Sequence, residues 1–239
     1  MTKYIGVDGC KAGWFAVTER GGGFEFGVFE TMGQLLDGHP QAELVLVDIP
    51  IGLPCKQCPS RPCDTAARSR LRAPRASSVF SAPSRPAARA DSFATAQHLN
   101  QAEVGRKLSK QAWCICKKIA EVDQLLIAHD AARSKVREIH PEICFWALND
   151  QVAMLHPKKS SDGIAERVMV LTRFEPRTAD ALAAALKKYP LKKVVQADDV
   201  LDALVAYVTA RVGLENLKRL GGPGPTRDEE GLPMEMLHL

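Results

Sequence analysis

The residues best able to do chemistry are carboxylates, and each stands where a secondary-structure element begins or ends. Asp8 closes the apolar, β-rich stretch YIGVD, between Gly6 and Gly9, where backbone can approach a ligand closely. Asp48 closes LVLVD and precedes Ile49 and Pro50. Glu138 lies in VREIH, and Glu142 follows just past Pro141. Asp198, Asp199 and Asp202 open the segment DDVLDALVAYVTARVG. On a helix, spacings of three and four residues put these last acids on one face. α/β folds expose reactive groups at the ends of buried strands. Carboxylates gathered there repel one another, and burial adds to the cost. A divalent cation relieves both. Hard oxygen donors suit magnesium or manganese, whereas zinc sites more often use His and Cys. Two such ions, about 3.5–4 Å apart, would hold a phosphodiester and activate water for in-line attack.

Each acid also has a plainer explanation. Asp198, Asp199 and Asp202 suit a helix N-terminus through capping and the helix dipole. Asp48 could cap the turn before Pro50, and Glu142 could be an ordinary first-turn acid. Asp8 resists such an account, because a charge at the end of an apolar strand needs a partner. His140, flanked at two residues by Glu138 and Glu142, is either a strand residue with a satisfied hydrogen bond or a proton-transfer group.

A second constellation is Cys55, Cys58 and Cys63, spaced C-x2-C-x4-C. Zinc would need a fourth ligand, for which Cys10, Cys144, His98 and His140 are all available. The seven cysteines are an odd number, which fits free thiols or metal ligands in a reducing compartment better than a disulfide framework. Cys114 and Cys116 are two apart on an expected helix and so do not share a face; Trp113, Phe145 and Trp146 read as core.

The net charge of +4 conceals an asymmetry. Between Lys56 and Lys118, 13 Lys and Arg face 3 Asp and Glu, a local charge of +10, leaving −6 elsewhere. Such a segment is either a solvated surface or a footprint for a polyanion such as nucleic acid. Arg68, Arg70, Arg72, Arg75 and Lys110 are candidate phosphate contacts, whose binding would weaken steeply with salt.

The elements that must position these groups follow from pattern. YIGVD, WFAV and FEFGVF, separated by glycine turns, read as an antiparallel meander. Thr31 caps a short helix in MGQLL, and LVLVD is a strand buried on both faces. Residues 49–89 are irregular and rich in Pro and Arg, with one short helix at 64–71. A long helix spans roughly 108–132, with apolar residues at helical spacing from Ile115 to Leu126. A strand at 136–140 follows, then helices near 142–148, 164–174 and 179–188, and a last helix opened by Asp198 and Asp199. The expected organisation is a single α/β domain over 1–220 with an irregular basic insertion at about 49–107 and a flexible tail over 221–239. No apolar run approaches the roughly 18 residues of a membrane span, and the start lacks a signal-peptide pattern, so a cytoplasmic protein without membrane contact is expected.

Six blocks carry a family resemblance: GVDGCKAGW, LVLVDIPIGLP, RPCDTAAR with SSVF, SKQAW, EIHPEICF and ADDVLDA. In this order, from Tyr4 to Ala210, they closely resemble the domain-of-unknown-function 429 family, described as predicted ribonuclease H-like nucleases. DVLDA is also similar to the D-x-x-D helix of Holliday-junction resolvases in that superfamily. The resemblance implies a ribonuclease H-like fold, with a five-stranded mixed sheet flanked by helices and a metal site. In it Asp8 is the first-strand acid, and Asp199 and Asp202 are the paired acids of the last helix. Asp48 matches the fourth-strand acid of the resolvases, whereas Glu138 lies in a block particular to this family, so the middle acid stays open. The implied activity is metal-dependent hydrolysis of nucleic acid. Two other classes compete. In a non-catalytic nucleic-acid-binding module the basic segment would grip and the acids would be structural. The first hairpin is also similar to that of actin-like phosphotransferases, but no second phosphate hairpin is present.

Overall fold

A computed structural model describes residues 3–222, 224 and 226–239. In chain order the described residues form strands β1 (Tyr4–Cys10), β2 (Gly13–Arg20) and β3 (Gly23–Phe29), helix α1 (Met32–Gly38) and strand β4 (Leu44–Val47). Helices α2 (Pro62–Leu71), α3 (Arg85–Ala88), α4 (Phe93–Val104), α5 (Lys110–Ala128) and α6 (Asp130–Lys135) follow. Next come strand β5 (Val136–Glu138) and helices α7 (Pro141–Leu148), α8 (Ser161–Thr172), α9 (Thr178–Lys188) and α10 (Ala197–Ala210). Short strands β6 (Lys218–Leu220), β7 (Thr226–Arg227), β8 (Pro233–Met234) and β9 (Met236–His238) end the chain. Among the described residues no helix is long and apolar enough to cross a membrane.

The chain divides into two compact units. The first comprises the chain up to Asp48, Lys135–Lys218 and Leu237–Leu239; the second comprises Ile49–Ser134 and Arg219–Met236.

The first unit is built on a five-stranded mixed sheet of order β3-β2-β1-β4-β5, flanked by helices. β1, β2 and β3 are antiparallel neighbours, as the glycine-separated apolar runs predict; β4 and β5 add in parallel to β1. All four residues of β4 are buried, as expected of a central strand. Side chains alternate between the two faces of a strand, so register decides which residues share a face. Gly6 pairs with Leu46 and with Val17, and Leu46 pairs with Arg137. This row faces α10, because a Cβ on Gly6 would lie 2.1 Å from both the Ala203 carbonyl oxygen and the Tyr207 nitrogen. Only glycine permits that approach. Beneath α10, Phe15, Val17, Leu46, Ile139, Phe145, Leu171 and Leu204 form one continuous core.

Helix ends follow local chemistry. Thr31 caps α1, its Oγ1 accepting from the Gln34 amide at 3.2 Å. Ser160 does the same for α8 at 3.0 Å. At α10, Gln196 and Asp199 form a reciprocal capping box, with the Gln196 amide donating to Asp199 Oδ2 at 2.8 Å.

The second unit is more regular than its sequence suggests. The stretch 49–107, expected to be irregular, carries α2, α3 and α4. The signals of α4 are local and conventional: Ser92 caps its start, and Gly105 ends it at φ +73°. Ala87, Ala96, Leu108, Ala112 and Cys116 make a small core among α3, α4 and α5. Residues 226–239, expected to fray, instead carry three short strands, with Leu232, Met234 and Leu237 fully buried. Asp228 explains part of this order. It accepts from the amides of Glu230, Leu232 and Leu53, and from Arg85 at 2.5 Å. Arg85 in turn grips Asp123 on α5.

Candidate metal centre

The centre grows out of the register of the parallel strands. Val7 on β1 pairs with Val47 on β4, and the Asp48 amide donates to the Val7 carbonyl at 3.1 Å. The next rung therefore sets Asp48 beside Asp8. Both point to the face covered by α10, since Asp8 lies two residues beyond Gly6. The close passage of α10 over Gly6 brings Asp202 to the same place. One carboxylate oxygen from each of Asp8, Asp48 and Asp202 lies within 4.8 Å of the others. Asp8 and Asp202 are buried and Asp48 is partly buried.

The electrostatics record the cost of that gathering. Burial, reinforced by Asp202 and Asp48, holds the Asp8 carboxyl well above the usual carboxylate range. Burial likewise raises Asp48, against the opposing pull of His140 and Lys158. Burial pushes Asp202 to about 6; Lys158 restrains the rise, while Asp48 and Glu142 add to it. Asp202 Oδ2 accepts from Lys158 Nζ at 2.5 Å, but its buried Oδ1 has no hydrogen-bond partner among the described residues. A cation would satisfy that orphaned oxygen and quench the mutual repulsion. The three groups of the cluster offer hard carboxylate oxygens, which could hold a divalent cation.

The other expected ligands have different places. Glu138 pairs with Val47, which pairs with Val7, so its side chain leaves the sheet on the face opposite Asp8. It is buried but does not belong to the three-carboxylate cluster. Asp199 is engaged as the α10 cap. Glu142 is buried on the first turn of α7, and one of its oxygens accepts from the fully buried Arg167. Its other oxygen, Oε2, is buried without a hydrogen-bond partner among the described residues, and its charge reaches Asp48 and Asp202. Glu142 thus borders the cluster rather than forming it.

Cys55, Cys58 and Cys63 form no disulfide, and no candidate metal-ligand group among the described residues contains all three. The Cys55 and Cys58 amides and carbonyls bond to each other at 3.1 Å, closing a tight turn. Cys58 Sγ donates to the Ser60 carbonyl and Cys63 Sγ to Asp64. Of the basic candidates, Arg68 is committed internally, donating to Val79 O at 2.8 Å and to Ser81 Oγ at 3.1 Å. Arg70, Arg72 and Lys110 are exposed and Arg75 is partly so.

Lys158 and Arg167 are the groups that sequence reasoning missed. Lys158 lies outside the basic segment and in no helix, so its only signal was the Lys-Lys pair after Pro157. Arg167 sits mid-helix in α8, where an arginine ordinarily faces solvent.

Fold and site together define an α/β protein with a three-carboxylate centre across the ends of two parallel strands and the start of a helix. The chain belongs to the DUF429 family, described as a protein of unknown function, whose sequence pattern matches residues 6–225. No curated protein and no solved structure matches the chain.

Proposed function

We propose that the protein is a metal-dependent nuclease of the ribonuclease H-like class. The observation that carries this reading is the convergence of Asp8, Asp48 and Asp202, with the buried Asp202 Oδ1 lacking a donor among the described residues. The five-stranded mixed sheet flanked by helices, with acids on the first strand, after the fourth and on the last helix, is the arrangement the family resemblance implies. Asp8, Asp48 and Asp202 would hold magnesium or manganese. When bound, such an ion lowers the pKa of a coordinated water and offsets negative charge on the phosphate.

The chain's own groups do the rest. Lys158 keeps 39% of its side chain exposed while its ammonium bonds Asp202, so it would lower the negative charge that an approaching phosphate meets at the cluster. Arg167 neutralises Glu142 and so limits the negative charge beside the cluster. In the second unit, Arg70, Arg72, Arg75 and Lys110 are the candidate contacts to the polyanion backbone. They would position substrate without reading its sequence.

The test is cleavage of labelled single-stranded, duplex, hybrid and junction substrates with manganese, magnesium or chelator, alongside an Asp8→Asn/Asp202→Asn double variant. Metal-dependent cleavage that disappears in the variant supports the reading and identifies the substrate class. Salt-sensitive binding without cleavage under either metal would make this a binding module instead.

A further inference from the structure

Lys158 is held at the carboxylate centre by an unusually complete set of contacts. The two residues before Pro157 are tied down by their backbones. Glu166 on α8 accepts from the Leu155 amide at 2.7 Å and the His156 amide at 3.0 Å, and Arg167 donates to the His156 carbonyl at 3.2 Å. Pro157 is tied from the other side. Its carbonyl accepts from the Ser160 amide at 3.0 Å and from Ser160 Oγ at 2.8 Å. Gly163 is packed so closely that a Cβ there would meet that same carbonyl at 1.9 Å. The loop between α7 and α8 is thus clamped on both flanks of Lys158. From it the side chain reaches Asp202 Oδ2 at 2.5 Å and Asp198 Oδ2 at 3.7 Å.

Charge counting gives this placement a meaning. With Glu142 matched by Arg167 and Asp198 by Lys159 at 3.8 Å, the three carboxylates of the cluster, when ionised, bring three negative charges, and the Lys158 ammonium removes one. The remainder matches a single divalent ion. Two divalent ions on the same ligands, with the ammonium still in place, would leave an uncompensated excess of positive charge in a buried site, which is costly. We propose that Lys158 takes one of the two cation positions that such a centre could offer, so that the site binds one divalent ion per chain. The inference rests on the reading of Asp8, Asp48 and Asp202 as metal ligands.

The experiment is a manganese titration of the purified 239-residue chain. Calorimetry and the paramagnetic resonance signal of free manganese together give the stoichiometry. The wild type should bind one ion. Lys158→Met should bind two, or bind its first ion at least tenfold more tightly. Lys158→Arg, which keeps the charge, should still bind one. Circular dichroism checks that each variant folds. Two ions in the wild type would overturn the inference even if the Met variant fails to fold. One ion with unchanged affinity in a folded Met variant would also overturn it, while leaving the metal site intact. No manganese bound by the wild type or either variant would remove the metal reading itself, and the inference with it.

Discussion

Gly6 and Ala203 touch backbone to backbone: a Cβ on Gly6 would stand 2.1 Å from the Ala203 carbonyl oxygen. This single approach sets the distance between the strand that carries Asp8 and the helix that carries Asp202. Gly6→Ala should therefore push α10 away from the sheet. Overpacking against rigid backbone is expected to cost about 3 kcal/mol or more. Urea denaturation would show the loss, and manganese affinity should fall with it. A variant as stable as the wild type would mean that α10 can shift without penalty.

Asp8→Asn should separate function from stability. Burial and the neighbouring Asp202 and Asp48 make an ionised Asp8 unfavourable in the metal-free protein. Removing that charge should raise the metal-free melting temperature by a few degrees, since 1 kcal/mol shifts a protein of this size by about 2–4 °C. Saturating manganese should stabilise the wild type by about 3 kcal/mol at 100 times Kd. It should do little for the variant. Thermal melts with chelator and with metal test both halves.

The metal-free protein should lose stability as pH rises through the weakly acidic range. Asp202 holds its proton up to about 6 in the fold, against 3.8 for an ordinary aspartate. A carboxyl raised in this way stabilises the folded state fully below pH 3.8, and that contribution is lost as pH passes about 6. The difference corresponds to about 3 kcal/mol. Denaturation midpoints at several pH values in chelator should fall across this window. Saturating magnesium should flatten the fall, because the ion replaces the proton. A midpoint that instead climbs with pH would contradict the assignment.

Arg167→Leu should be among the most damaging single changes outside the cluster. The guanidinium is fully buried, donates to Glu142 and holds the His156 and Gly163 carbonyls. Its removal leaves Glu142 charged and buried, at a cost of about 3–5 kcal/mol. Adding Glu142→Gln should recover part of that loss. Chemical denaturation of the single and double variants measures the coupling directly.

Much of this molecule was legible because its signals are local. Apolar runs ending in acids marked β1 and β4. Helical spacing marked α5 and α10, and Thr31 marked the start of α1. Even α4, in the stretch expected to be irregular, carries an ordinary Ser cap and Gly stop. The same reasoning placed Asp8, Asp48 and Asp202 at element ends. It could not choose between Asp48 and Glu138, or tell that Asp199 would serve as a cap while Asp202 faced the cluster.

Those choices belong to tertiary structure. Whether Asp48 or Glu138 joins Asp8 depends on the pairing of Val7 with Val47 and of Val47 with Glu138, and a one-residue change of register would reverse the answer. The chain itself determined its elements and the acids at their ends, since propensities and caps act within a few residues. Only the fold decided which acids meet, that Lys158 reaches them, and that Arg167 is buried against Glu142, because those contacts join residues tens of positions apart through strand register and helix packing.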